Sequence, residues 1–197
     1  EANELLGKDI ARICFEGPED ELTLTENTQP AILIHSIIAL KCLREHDIDA
    51  VVAAGHSLGE YSALVAAGTL EFGDAVKAVQ KRGQYMQEAV PVGVGAMAAV
   101  IGLTLTEVED LCSSVSTAES IVQPANMNSP IQIVVAGHKE AVEKLAEEAK
   151  KAGAKKSILL PVSAPFHCPL MKPAEIKLKA TLEEITFNNS KYPVITN

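Results

Sequence analysis

The chain has 197 residues, 47% apolar and 22% charged, with few aromatics and no tryptophan, the composition of a globular protein able to build one substantial core or two small ones. A formal net charge of −9 argues against a nucleic-acid binder, which needs a basic footprint. A membrane span is equally unsupported, because the longest apolar candidate, "PAILIHSIIAL", is short and contains His35.

Cys14, Cys42, Cys112 and Cys168 are scattered without a CxxC pair, which reads as reduced thiols in a cytoplasmic compartment. The five histidines include no i,i+4 pair, and His167 and Cys168 are too close in sequence to chelate well, so no metal site is expected. No signal-peptide pattern is present, and the first residue is not methionine, as in a fragment, a processed chain or one with its leader removed.

In chain order, "LLGKDIARICFEG" predicts a short helix ending at Gly17-Pro18, followed by an acidic loop. "NTQPAILIHSIIALKCLREHD" predicts a long, mostly buried helix capped by Asn27 or Thr28, with Pro30 in its first turn. "DAVVAAG" reads as a brief buried strand, "SLGEYSALVAAG" as a helix closed by Gly68, and "FGDAVKAVQKRGQYMQEAV" as a helix stopped by Pro91. From residue 94 the rhythm changes. "VGAMAAVIG", "SIVQPANMN", "IQIVVAG" and "KKSILLPV" are strand-like, while "TLTEVEDLCSSV" and "HKEAVEKLAEEAKKAG" are helical. In the last of these, Val142, Leu145, Ala146 and Ala149 form an apolar stripe, and Glu140–Lys144 and Glu147–Lys151 are spaced as i,i+4 pairs. Lys150, Lys151, Lys155 and Lys156 straddle the helix end, as a solvated face complementing the dipole or as a landing patch for an acidic partner.

The order β-α-β-β-α-β is the ferredoxin-like split arrangement. After it come the loop "VSAPFHCPLMKP", a helix to about Glu184 and a last strand, "YPVIT". The expected fold is α/β: a parallel-sheet domain of residues 1–93 and 161–197, incomplete at both ends, interrupted by a ferredoxin-like insertion of residues 94–160. A cleft between two such domains is a common ligand pocket.

Strand, then Gly-His-Ser-Leu-Gly, then helix places residues 55–59 in the context of a nucleophile elbow. The sharp turn would push Ser57 Oγ outward, with glycines two residues to either side avoiding collision. It would also aim the Leu58 N–H, at the helix's positive end, toward an oxygen on the attacked carbon. A structural turn is the competing reading. Serine needs a base at neutral pH. His56 adjoins it but should point away, His35 lies in the buried helix, His46 at its exposed end, and His138 starts the small-domain helix. His167, between Pro165 and Pro169, is the candidate base, with a structural loop histidine as the alternative. The intervening aspartates, Asp74 and Asp110, are not at strand ends. A backbone carbonyl, or a group outside the chain, would then orient the imidazole.

Arg82 falls within the stripe Ala75, Val76, Val79, Gly83 and Met86. A cation on a packed face needs an anion, either an internal salt bridge or a substrate carboxylate held bidentately, with Gly83 leaving room beside it.

Together "TQPAILIHS", "GHSLGEYSALVAAG", "KRGQYMQEAVP", "GAMAAVIG", "NMNSP", "VVAGHKEAVE" and "LPVSAPFHCPLMKPA" resemble, in order along nearly the whole chain, the malonyl-CoA:acyl carrier protein transacylases of type II fatty acid synthesis. The resemblance implies an α/β-hydrolase-like domain with a ferredoxin-like insert. It implies Ser57 as acylated nucleophile, His167 as base, Leu58 N–H as an oxyanion donor, Arg82 as ligand of the malonyl carboxylate and Gln29 as pocket lining. Asn126 and Asn128 match a family motif whose role is left open, and Phe166 resembles the malonyl-selective form of its loop in related polyketide acyltransferases. The implied reaction is ping-pong: malonyl passes from malonyl-CoA to Ser57 and then to the phosphopantetheine thiol of acyl carrier protein, in a monomer with no resident cofactor.

Nothing here matches the family's opening strand and Gly-Gln-Gly loop, which supplies the second oxyanion donor, or the later segment whose carbonyl orients the histidine. Loss of one such donor typically costs about a hundredfold to a thousandfold, so the chain alone is expected to be a poor catalyst. A serine esterase or thioesterase, a polyketide-pathway acyltransferase and a non-catalytic carrier-binding module are the alternatives.

Overall fold

A computed structural model describes residues 1–91, 93–162 and 164–197, so Ser163 of the "VSAPFHCP" loop lies outside the described residues. The chain divides into two compact units, Glu1–Tyr85 with Ile176–Asn197, and Met86–Glu175.

The first unit begins with α1 (Ala2–Leu6), α2 (Ile10–Glu16), α3 (Glu19–Thr23) and α4 (Thr25–Glu45). It continues through β1 (Ala53–Ala54), α5 (Gly59–Ala66) and most of α6 (Phe72–Ala89), and returns with the end of α9 (Lys172–Glu183) and β6 (Val194–Ile195). Leu6, Ile10, Ile13, Leu33, Leu58, Leu70, Ala75, Val76 and Val79 form its buried core. The α6 stripe predicted from spacing is therefore the face that packs.

Several local expectations are corrected in this unit. The single helix expected near the start is two, because Gly7 (φ 63°) closes α1 in the left-handed region and Asp9 caps α2 by accepting from the Arg12 N–H at 3.1 Å. The acidic loop contains α3. Helix α4 starts at Thr25, so Asn27 and Thr28 do not cap it. Instead their side chains donate to the carbonyls of Glu21 (2.8 Å) and Leu22 (2.6 Å), tying α4 to α3, and Lys8 donates to Asn27. Only one face of α4 is buried, through Leu33 and Ile37, while Ile38, Leu43 and His35 are exposed. The buried strand expected over "DAVVAAG" shrinks to two residues, with Val51 84% exposed. It pairs in parallel with β6, Ala53 opposite Val194 and Ala54 opposite Ile195, and these two strands are the whole parallel sheet among the described residues.

The second unit contains β2 (Gly95–Ile101), α7 (Leu105–Val115), β3 (Val122–Ser129), β4 (Gln132–His138), α8 (Lys139–Lys151) and β5 (Lys156–Leu159). Its antiparallel sheet has the order β3-β4-β2-β5, the ferredoxin-like arrangement expected from the element order. Helix α7 opens on a capping box between Thr104 and Glu107. Helices α7 and α8 cover one sheet face, with Val108, Val115, Val142, Leu145 and Ala149 in the core. The ion pairs on α8 differ from those expected: Lys139 pairs with Glu143 at 3.8 Å and Lys151 with Glu148 at 2.8 Å. These side chains are exposed, so either set of pairs carries little energy.

On the other sheet face Met97, Val134 and Ala136 pack with Cys168, bringing partly buried Phe166 and Leu170 with it. The loop bearing His167 is thus anchored on the small sheet. At Gly95 a Cβ would lie 2.3 Å from the Pro165 ring, so that glycine lets the loop lie flat on β2. After the loop, a 3-10 turn (Pro169–Met171) leads into α9. All four cysteines are free, and burial pushes the Cys112 thiol up to about 12, leaving it inert as a nucleophile at neutral pH. No described helix is long and apolar enough to cross a membrane, and no metal-binding cluster occurs among the described residues.

Candidate active site

Between the end of β1 and the start of α5 the backbone reverses within four residues, and Ser57 takes φ 52°. A non-glycine residue in the left-handed region is strained and persists only where its surroundings over-determine it. Here the Gly59 N–H closes a turn onto the His56 carbonyl at 2.9 Å, and the Tyr61 N–H bonds the Leu58 carbonyl at 3.0 Å. A Cβ at Gly55 would sit 1.9 Å from the carbonyl carbon of Gly59, so the incoming strand and outgoing helix touch main chain to main chain. Gly55 is therefore required by sterics. Gly59 is not, since a Cβ there would meet nothing within 4 Å.

Arg82 reaches Ser57 and is itself held by Gln29. Arg82 donates from Nη2 to Ser57 Oγ at 2.9 Å and from Nη1 to Gln29 Oε1 at 2.7 Å. Elements α4, α6 and the elbow are thus joined through one guanidinium. Gln29 is buried, in the first two turns of α4, and Arg82 is half-buried. Burial pushes the guanidinium below its ordinary value while the nearby Tyr61 and Glu60 push it back up. Burial likewise raises the Tyr61 phenol, with Arg82 opposing. None of the ion pairs among the described residues involves Arg82, so the internal salt bridge is not how this cation is satisfied. Gly83 has a different role from the one expected. A Cβ there would lie 2.6 Å from the Thr25 carbonyl oxygen and 2.7 Å from Glu26 Cα, so the space beside Arg82 is filled by the main chain of α4. The close approach of α6 to the start of α4 is what brings Arg82 within reach of Gln29.

The N–H of Ser57 is occupied, donating to Asn197 Oδ1 at 2.8 Å, while the Asn197 N–H donates to Glu60 Oε2 at 3.1 Å. Leu58 is the N-cap of α5, so its N–H lies among the helix-start donors that no carbonyl within the helix accepts. The sequence pattern missed Asn197 and Glu60. Glu60 carries a weak signal, an acid in the first turn of a helix, but Asn197 carries none, because it reaches the elbow from 140 residues away.

His167 belongs to the second unit, at φ 57°, and its carbonyl accepts from Gln123 Nε2 at 3.5 Å. Its neighbours Phe166 and Cys168 pack on the small sheet and hold this left-handed turn of the loop in place. The remaining histidines have other surroundings. His56 is exposed, His35 and His46 lie on the exposed side of α4, and His138 Nδ1 accepts the Ile121 N–H at 3.0 Å. Asp74 lies in the first turn of α6 and Asp110 is exposed on α7. Asn126 and Asn128 lie on β3, where a register shift falls between Pro124 and Asn126.

The sequence profile of the acyl transferase domain matches residues 3–197. The chain belongs to the acyl transferase domain family. Its relatives include the malonyl CoA-acyl carrier protein transacylase of Escherichia coli O157:H7, 50% identical over 198 residues, covering all of this chain and 64% of the relative. That of Bacillus subtilis strain 168 is 49% identical over 197 residues and is covered to 62%. Among solved structures, the malonyl CoA-acyl carrier protein transacylase from Coxiella burnetii superposes with a TM-score of 0.96 at 47% identity, over 98% of this chain and 61% of that one. A malonyl-transacylase bound to a type II polyketide synthase acyl-carrier protein superposes with a TM-score of 0.96 at 47% identity, over 100% of this chain and 63% of that one. This acyl transferase chain spans less than two thirds of the length of these relatives.

Proposed function

We propose that this acyl transferase takes a malonyl group from malonyl-CoA onto Ser57 and delivers it to the phosphopantetheine thiol of an acyl carrier protein. One observation carries the reading: a single guanidinium touches both the elbow hydroxyl, at 2.9 Å, and a buried amide oxygen, at 2.7 Å. The carboxylate of a malonyl ester lies two bonds beyond the ester carbonyl carbon, so a cation already at Oγ is within reach of it. Gln29 Oε1 then acts as a second anchor that keeps the fork aimed at the elbow. The malonyl-transacylase names of the relatives point the same way.

In the first half-reaction Ser57 Oγ attacks the thioester carbonyl and gives its proton to His167. The tetrahedral oxyanion is received by the Leu58 N–H, and the coenzyme A thiol leaves with the proton from His167. In the second half the carrier thiol attacks the seryl ester, again with His167 as base and then acid, and Ser57 is regenerated. No resident cofactor enters. As malonyl-CoA enters, the Arg82–Oγ bond of the resting site gives way to an Arg82–carboxylate pair, which frees Oγ to attack.

In this reading residues 1–93 and 161–197 form the catalytic domain and residues 94–160 the insertion, whose four strands all lie in the second compact unit. The protein works as a cytoplasmic monomer, with malonyl-CoA and the carrier as partners and neither nucleic acid nor membrane involved.

Product analysis tests this. The complete protein is incubated with malonyl-CoA and phosphopantetheinylated carrier, and the malonyl group is traced by mass. The expected result is malonyl-carrier, with none formed by Ser57→Ala. Free malonate as the main product would make the protein a thioesterase, and no turnover would make it a carrier-binding module.

A further inference from the structure

We infer that Asn197 is a positioning residue for the nucleophile: its side-chain oxygen, by holding the Ser57 N–H, fixes the direction in which Oγ is presented. The inference rests on Ser57 being the acylated residue. Parallel pairing of β1 with β6 ends at Ala54 opposite Ile195, because the chain beyond Gly55 turns away into the elbow and offers no further ladder partner. Two residues past Ile195, Asn197 bridges that gap with its side chain, accepting from the Ser57 N–H at 2.8 Å. Its own N–H donates to Glu60 Oε2 at 3.1 Å, in the first turn of α5. The two bonds form a bracket from the end of β6 to both sides of the bend. Only the amide oxygen can accept from an N–H, so the orientation of the Asn197 side chain is set by the bond itself.

The physical consequence lies in one torsion. φ of Ser57 is the rotation about its N–Cα bond, so with the N–H pinned, the value of 52° determines where Cβ points and hence the arc open to Oγ. A serine released from the bracket would relax toward the ordinary negative-φ regions, which swings Oγ away from Arg82 Nη2. The bracket also takes the Ser57 N–H out of competition for the oxyanion, leaving that task to Leu58. An asparagine serves here because it accepts without charge; a carboxylate would sit close to that of Glu60 and to the developing oxyanion.

The test is single-turnover acylation of the complete protein by malonyl-CoA, followed by acid quench and intact mass. Asn197→Ala should acylate about tenfold or more slowly at saturation, the size of one net hydrogen bond, with half-saturating malonyl-CoA within about twofold of wild type. Asn197→Ser, one atom shorter and still polar, should show the same loss if the alanine variant does not fold. Wild-type acylation rates in Asn197→Ala or Asn197→Ser would overturn the inference, as would a loss confined to half-saturation. A wild-type protein that takes up no malonyl at all would instead remove the reading of Ser57 itself, and the bracket's role with it.

Discussion

Replacing Arg82 by alanine is expected to lower kcat/KM for malonyl-CoA by about a hundredfold to several thousandfold while leaving acetyl-CoA unchanged or improved. The size follows from leaving one member of a desolvated charge pair without its partner, which typically costs about 3–5 kcal/mol, at roughly 1.4 kcal/mol per tenfold in rate. The asymmetry follows from geometry. A neutral acyl group makes no demand on the cation, and removing the Nη2–Oγ bond of 2.9 Å relieves the serine oxygen of a donor it must otherwise shed. Arg82→Lys should fall between the two, because an ammonium supplies the charge but not a fork that spans Gln29 and the elbow together. Steady-state kinetics with both thioesters is the measurement. An equal loss for malonyl and acetyl substrates would mean that Arg82 serves the elbow alone and holds no carboxylate.

The second large effect is structural and separates two glycines that look equivalent in the sequence. Gly55→Ala is expected to destabilise the chain by about 3 kcal/mol or more and to abolish acylation of Ser57, since overpacking of even flexible side chains costs about 1–3 kcal/mol. At Gly55 the obstacle is main chain, 1.9 Å and 2.0 Å from the Gly59 carbonyl carbon and oxygen, and no side-chain rotation relieves it. Gly59→Ala should do the opposite: with open space around the new methyl and a better helix former at the start of α5, stability should hold or rise by up to about 1 kcal/mol. Urea unfolding of both variants decides the matter. Equal destabilisation would mean that the bend is not closed by contact between Gly55 and Gly59.

The elbow was legible because its parts are local. A glycine at the bend, a serine two residues on and a helix pattern beyond are all written within residues 55–68. The small domain was legible for the same reason: the stripe of Val142, Leu145, Ala146 and Ala149 repeats with the helical period, and all four residues are buried. Arg82 stood out as a cation inside an apolar stripe, and the structure gives it Ser57 and Gln29 as partners.

What escaped the sequence depended on distant chain or on packing. Val51 and Val52 read as buried strand residues because they are β-branched and apolar, yet both are exposed and only Ala53 and Ala54 pair. Asn27 and Thr28 read as caps because of their residue types, but the helix starts two residues earlier and they bind the turns before it. Gly83 read as space for a guanidinium, when the neighbouring main chain already fills that space. Asn197 could not have been found from a local pattern, since its place at the elbow is set by the parallel register of β1 with β6.

The central claim, that Ser57 Oγ carries the acyl group, is tested most directly by locating the ester. The complete protein is treated with malonyl-CoA, quenched in acid, digested, and the modified peptide sequenced by mass spectrometry. The account predicts a single malonyl group on Ser57, absent from Ser57→Ala and strongly reduced in Arg82→Ala. A malonyl group on an exposed thiol such as Cys14 or Cys42, or labelling that survives Ser57→Ala, would contradict it.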